Sequence, residues 1–217
     1  TRLMGALIMT HSDDQGLVLP PNLAPYQVVI VPIYRSEEQF DAISEVAQEI
    51  MSTLRSENIS VKYDNRTTQR PGAKFAQHEL QGVPIRIAIG PKDLENKTVE
   101  LARRDNLSKE NVSIDNLTSK IAQMLADIQV SLFKKATDFR DNHITVVDSF
   151  DAFKEIIETK GGFISAHWDG TSETEQKIKE LTKATIRCMP HDAKEESGVC
   201  VFSGAPSKGR VLFAKAY

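Results

Sequence analysis

The residues best suited to chemistry in this 217-residue chain lie between positions 62 and 109, which carry ten Lys/Arg against six Asp/Glu. The chain as a whole has a formal net charge of −3. A mildly acidic protein with one basic segment is a poor general nucleic-acid binder, yet it can hold one phosphate-bearing partner against that segment. Within it, Arg66, Arg70 and Lys74 sit in or beside a Pro-Gly loop that opens a helix. Free N–H groups at a helix start, with nearby Arg and Lys, suit a phosphate backbone. Phe75 offers a ring on which an unstacked base could lie, and it also reads as an ordinary core residue. The Glu79 carboxylate could accept from a base edge, and guanine presents suitable N–H donors. Arg103 and Arg104 end a strand beside Asp105. The competing reading is local: Arg66 and Arg70 pair with Asp64 or Glu79 on a solvated charged face.

Other chemistries find no constellation. The five histidines (His11, His78, His143, His167, His191) include no pair four residues apart, so no helical metal site is implied. There is no G-x-S-x-G elbow and no G-x-G-x-x-G. The glycines and lysine of SGAPSKGR (203–210) lack the P-loop spacing and read as a turn. Two cysteines, Cys188 and Cys200, cannot make a disulfide framework, which points to a reducing, cytoplasmic setting. No run of about 18 apolar residues is present, so no membrane span is expected.

The elements that must position these residues follow from periodicity. The run Leu3 to Met9 is apolar and leads into the loop HSDDQG, and the Pro-rich stretch 17–25 reads as a semi-rigid connector. YQVVIVPI (26–33) is a buried strand. Ser36 caps an amphipathic helix that presents Phe40, Ile43, Ala47, Ile50 and Leu54. Residues 59–63 form a strand, AKFAQHELQ a short helix stopped by Gly82 and Pro84, and 84–90 and 98–105 further strands, with 111–114 a candidate fifth. A long helix after Ser113 or Asp115 holds Leu117, Ile121, Leu125, Ile128, Leu132, Ala136 and Phe139 on one face. Residues 26–139 therefore predict an α/β sandwich with a mixed sheet. After Asp141 the pattern restarts as a smaller α/β unit. Its strands fall at 144–147, 162–168, 184–190, 198–202 and 210–217, and its helices follow Ser149 and begin at Thr171.

Three long segments carry a family resemblance. TRLMGALIMTHSDDQGLVLPPNLAPYQVVIVPI resembles the end of the catalytic domain of prolyl-tRNA synthetases and its junction to the anticodon-binding domain. RPGAKFAQHELQGVPIRIAIGP and ARRD resemble that anticodon-binding domain, and TIRCMP with GRVLFAKAY resembles the extra C-terminal domain of the archaeal/eukaryotic-like branch. The resemblance implies an α/β fold in three parts: the end of a class II catalytic domain over 1–24, an anticodon-binding domain over 25–140, and a zinc-type C-terminal domain over 141–217. It implies a parent enzyme that activates proline with ATP and Mg²⁺ and transfers it to proline tRNA. That parent is expected to be a homodimer through its catalytic domain, while the 217-residue chain could be monomeric. Together with the missing starting Met, it predicts that this chain is a fragment, inactive alone and carrying no cofactor.

By motif position Arg2 would hold the ATP phosphates. Arg66, Arg70, Lys74, Phe75, Glu79 and Arg103 would read the two anticodon guanines. The carboxylate of Tyr217 would return toward the catalytic domain or, on the plainer reading, its ring would pack on a neighbouring domain. Zinc-bearing relatives hold four cysteines at positions matched here by Asp169, Thr174, Cys200 and Ser203, so no zinc is expected. A different class, an accessory protein reusing an anticodon-binding domain, is disfavoured by the segment TRLMGALIMTH.

Overall fold

The computed structural model describes residues 1–191, 193 and 195–216. They form two compact units, Thr1–Ala136 and Thr137–Tyr217. The first begins with helix α1 (Arg2–His11) and continues through β1 (Val28–Pro32), α2 (Glu37–Ser56), β2 (Val61–Tyr63), α3 (Pro71–Leu80), β3 (Ile85–Ile89), α4 (Pro91–Asn96), β4 (Thr98–Arg103) and β5 (Lys109–Ser113) to α5 (Leu117–Asn142). The strands make a five-stranded mixed sheet in the order β2-β1-β3-β4-β5. β1 runs parallel to β2 and β3, and the β3/β4 and β4/β5 pairs are antiparallel.

Strand period explains the layers. Val28 and Ile30 join Ile85, Ile87, Ile89, Val99 and Leu101 under α2 and α5, which contribute Ile43, Ala47, Leu54, Ile121 and Ile128. The alternate residues Val29 and Val31 point to the opposite face, where Val83, Tyr26 and Phe75 cover them. A sheet covered on both faces requires apolar side chains at every β1 position, and all five are buried. The Ser36 hydroxyl accepts from the Gln39 N–H and starts α2.

The second unit comprises β6 (Ile144–Val146), α6 (Phe150–Thr159), β7 (Phe163–His167), α7 (Ser172–Thr182), β8 (Ala184–Cys188), β9 (Gly198–Val199), β10 (Pro206–Ser207) and β11 (Arg210–Lys215). Its main sheet has the order β6-β7-β11-β8, with β11 antiparallel to both neighbours. Phe153, Ile157, Ile164, Ile178, Val211 and Phe213 form its core. Ser149 caps α6 as the sequence predicts, and Thr171, read from the sequence as the first residue of its helix, is the cap of α7.

Several expectations are corrected. Leu3 to Met9, unassigned from sequence, is the helix α1, and no residue of it is buried. Phe139 is exposed and stacks on His143 at 4.0 Å instead of joining the buried face of α5. The strand expected over 198–202 shrinks to Gly198–Val199. The cause is a turn in which Cys200 N–H donates to Ala205 and Gly204 N–H donates back to Cys200, with Gly204 at φ +70°. The six-residue helix α4 has no sequence precedent because one and a half turns carry no readable period; Asp93 accepts the Gly90 N–H at 2.7 Å to start it.

Candidate nucleic-acid interface

Helix α3 carries most of the basic segment's chemistry. Pro71 occupies its first turn, where a missing N–H costs nothing. Residues four apart share a helix face, and this splits α3 into two working faces. Lys74 and His78 point to Asp64 at the end of β2. Phe75 and Glu79 point toward the strand β3 and its Arg86.

On the first face Asp64 is a buried hub. Arg66 binds both its oxygens, at 2.7 and 2.6 Å, and also donates to Gln77 at 2.9 Å. His78 Nε2 lies 2.8 Å from Asp64 Oδ2, and Lys74 Nζ donates to the Asp64 main-chain oxygen at 2.9 Å. The Arg66 hydrogen bonds hold the Asp64 carboxyl far below the ordinary range despite its desolvation, with His78 and Lys74 adding to the effect. Burial pushes the Lys74 ammonium and the His78 imidazole down, and Asp64 opposes both shifts. A neutral His78 facing a carboxylate carries its proton on Nε2, which leaves Nδ1 as a bare acceptor with no partner among the described residues.

On the second face Arg86 is the unusual residue. It is 4% exposed in the middle of an apolar strand. Its guanidinium lies over the Phe75 ring at 3.7 Å, and Nη1 reaches Glu100 at 3.2 Å. Nε and Nη2 have no hydrogen-bond partner among the described residues. Buried donors without partners cost free energy, so a positioned acceptor is expected to complete them. Arg86, Glu79, His78 and Arg103 line one recess of about 20 Å³, room for a single water-sized group. A base cannot enter a recess of this size.

The structure sorts the sequence-stated residues. Phe75, Glu79 and Arg103 are brought together around Arg86. One face of Phe75 is taken by Arg86, so the ring orients that guanidinium. The Arg103 fork is held by Asp105 at 2.9 and 2.8 Å, which raises the Arg103 pKa. Arg66 is committed to Asp64, and Lys74 is a core lysine at 1% exposure. Arg70 is exposed at the start of α3, where a cleft of about 350 Å³ is lined by Tyr34, Thr67, Thr68, Gln69, Arg70 and Lys74. Arg2 is exposed on α1, away from any core. Tyr217 lies outside the described residues.

Arg86 is the residue that sequence reasoning missed. Its signal was a lone cation inside the run IRIAI, whose five residues are all buried.

In the second unit the four positions expected to lack zinc form something else. Asp169 accepts from Thr174 at 2.7 Å and Ser203 at 2.5 Å on one oxygen, and from the Thr171 hydroxyl at 2.8 Å on the other. Burial pushes this carboxyl up, but these hydrogen bonds outweigh it and hold it well below the ordinary range. Two hydroxyls already donating to a carboxylate, beside one thiol at Cys200, do not fit tetrahedral zinc. Among the described residues no group of three or more His, Cys, Asp or Glu could hold a metal ion.

Comparison with known proteins agrees with this geometry. Residues 27–124 match the anticodon binding domain, and residues 150–217 match the C-terminal domain of prolyl-tRNA synthetase. The proline–tRNA ligase of Christiangramia forsetii is 69% identical over all 217 residues. Over its whole length the chain matches a C-terminal portion of prolyl-tRNA synthetases. The corresponding ligases of Flavobacterium johnsoniae and Porphyromonas gingivalis are 65% and 60% identical, again over the whole chain. The chain spans 44% of the length of each of these relatives. The family match falls on the α3–β3–β4 face and on the unit containing Asp169, so both features described above lie in family domains.

Proposed function

We propose that this chain binds the anticodon of proline tRNA and reads its guanines at the recess between α3, β3 and β4. The observation that carries the reading is the buried Arg86, with two unpartnered donors at a recess that Glu79 also lines. Guanine offers O6 and N7 acceptors on one edge and N1–H and N2–H₂ donors on the other. Arg86 matches the first set and Glu79 the second. Arg103, fixed by Asp105, supplies a further cation at the rim. Arg70 and the open N–H groups at the start of α3 suit the backbone phosphates. Lys74 and Arg66 act one step back, by holding Asp64 and therefore the position of α3.

In the whole protein this chain supplies the tRNA-binding part of an enzyme that activates proline with ATP and Mg²⁺ and transfers it to tRNA in the cytoplasm, as a homodimer. By its motif position Arg2 is the residue we propose to hold ATP phosphates there, and Mg²⁺ is assigned no ligands in this chain. No described helix is long and apolar enough to cross a membrane.

The test is binding of the chain to a proline-tRNA anticodon stem-loop, with a control loop whose two guanines are replaced. The native loop is expected to bind more tightly, and Arg86→Lys and Glu79→Gln should each cost about 1–3 kcal/mol of that preference. Equal, salt-sensitive binding of both loops would mean phosphate contact without readout and would reject the assignment.

A further inference from the structure

The guanine-reading end of α3 does not stand alone. The Glu79 main-chain oxygen accepts from Arg104 Nε at 2.8 Å. The same guanidinium forks onto Asp13, Nη1 to Oδ2 at 2.7 Å and Nη2 to Oδ1 at 2.6 Å. The Arg104 side chain is 1% exposed, whereas Asp13 is 37% exposed. One arginine thus ties Glu79 to a residue 91 positions earlier, in the segment that follows α1.

Three further features seat that segment. Asp13 and Gly16 close a two-residue bridge with N–H···O distances of 3.0 and 3.1 Å. The backbone then runs against the end of α3: Leu17 N–H donates to Leu80 at 3.0 Å and Leu19 N–H donates to Gly82 at 3.2 Å. Both approaches require glycine. A Cβ on Gly16 would come within 2.6 Å of the Leu80 backbone, and one on Gly82 within 2.7 Å of Leu17. Such close contact leaves the end of α3 no independent movement relative to residues 13–19.

We infer that Arg104 and Asp13 are positioning residues for guanine recognition: neither needs to touch the RNA, and together they fix the Glu79 end of α3 against the segment following α1. The inference rests on the reading of Glu79 and Arg86 as the guanine-facing pair. Arg104 is suited to the task because its planar fork holds two partners in a fixed geometry, which the rotatable point charge of a lysine does not reproduce. An aligned hydrogen-bonding pair loses discrimination when one member shifts, even when the charge remains in place.

The experiment uses the whole chain with the native and guanine-replaced stem-loops. Asp13→Asn keeps a side-chain acceptor and the shape of the loop while removing the charge, and Arg104→Lys keeps the charge while removing the fork. Circular dichroism and thermal melting establish that each variant is folded, and Asp13→Asn decides the outcome if Arg104→Lys fails to fold. The expected result is a roughly tenfold loss of preference for the native loop, with affinity for the replaced loop and the salt dependence unchanged. Unchanged preference, or an equal loss for both loops, overturns the inference, because a merely structural contact would weaken both alike. Absence of any preference in the unmodified chain would instead reject the guanine-reading assignment itself and the inference with it.

Discussion

Asp64 in the first unit and Asp169 in the second are both carboxylates held below their ordinary range by hydrogen bonds, yet they collect opposite partners. Asp64 gathers Arg66, Lys74 and His78. Asp169 gathers the hydroxyls of Thr171, Thr174 and Ser203. A buried carboxylate among cations fixes a charged helix beside Arg86 and Arg103, where the proposed guanine site lies. A carboxylate among hydroxyls joins the start of α7 to the loop after Cys200 with neutral donors. The same residue type thus builds an electrostatic framework in one unit and a structural knot in the other. The residues of the knot do not fit tetrahedral zinc.

The comparison is broken most severely at Asp64. Asp64→Ala leaves the Lys74 ammonium buried without its counter-charge, so a loss of about 3–5 kcal/mol is expected by denaturant unfolding of the first unit. The double variant Asp64→Ala/Lys74→Met should recover more than half of that loss. If the single and double variants prove equally unstable, the ion pair is not the cause.

At Asp169 the expected cost is smaller. Asp169→Ala removes one carboxylate acceptor from hydroxyls that retain some access to water, for about 2 kcal/mol, confined to the second unit. Guanine preference should not change, which separates the knot from the RNA site.

Acid acts on the first unit in two stages. Burial holds His78 below its ordinary pKa, so the folded chain resists a proton that the unfolded chain accepts. Stability of the first unit is therefore fully expressed above about pH 6.5 and declines as pH falls below it. His78→Gln should flatten that decline, leaving the share due to His11, which is also lowered. The carboxylates act later: Asp13 sits at about 2, below its ordinary 3.8, so its contribution is present above that ordinary value and is lost as pH falls toward 2. A decline below pH 6.5 that survives His78→Gln undiminished would contradict the assignment. The smallest effect is expected for Ser203→Ala, about 1 kcal/mol, because Asp169 keeps Thr171 and Thr174 as donors.

Much of this fold is legible in the residues. The β-branched run of β1 and the hydroxyl caps Ser36, Ser149 and Thr171 announce their elements because those signals are local. The α1 helix is less legible because apolar residues lie all around it and it buries none of them. The shortened strand at β9 is hidden because the turn depends on Gly204, two residues beyond the apolar stretch that suggested a strand. Around the candidate site the sequence delimits the right segment. It does not show that Lys74 is buried beside Asp64, or that the half-exposed Arg66 already pairs with the same carboxylate. Arg86 escapes notice for the same reason, and Arg104 is noted only as the end of a strand, since their burial against partners far away in the chain is not written locally.

The central claim is that recognition resides on the α3–β3–β4 face of the first unit and is absent from the knot of the second. Hydrogen exchange of the whole chain, with and without the native stem-loop, tests it most directly. Protection is expected at the ends of α3 and β4 and in the segment 13–19, with residues 163–188 and 198–215 unchanged. Protection centred on the turn after Cys200 and the start of α7, with α3 unaffected, would contradict the account.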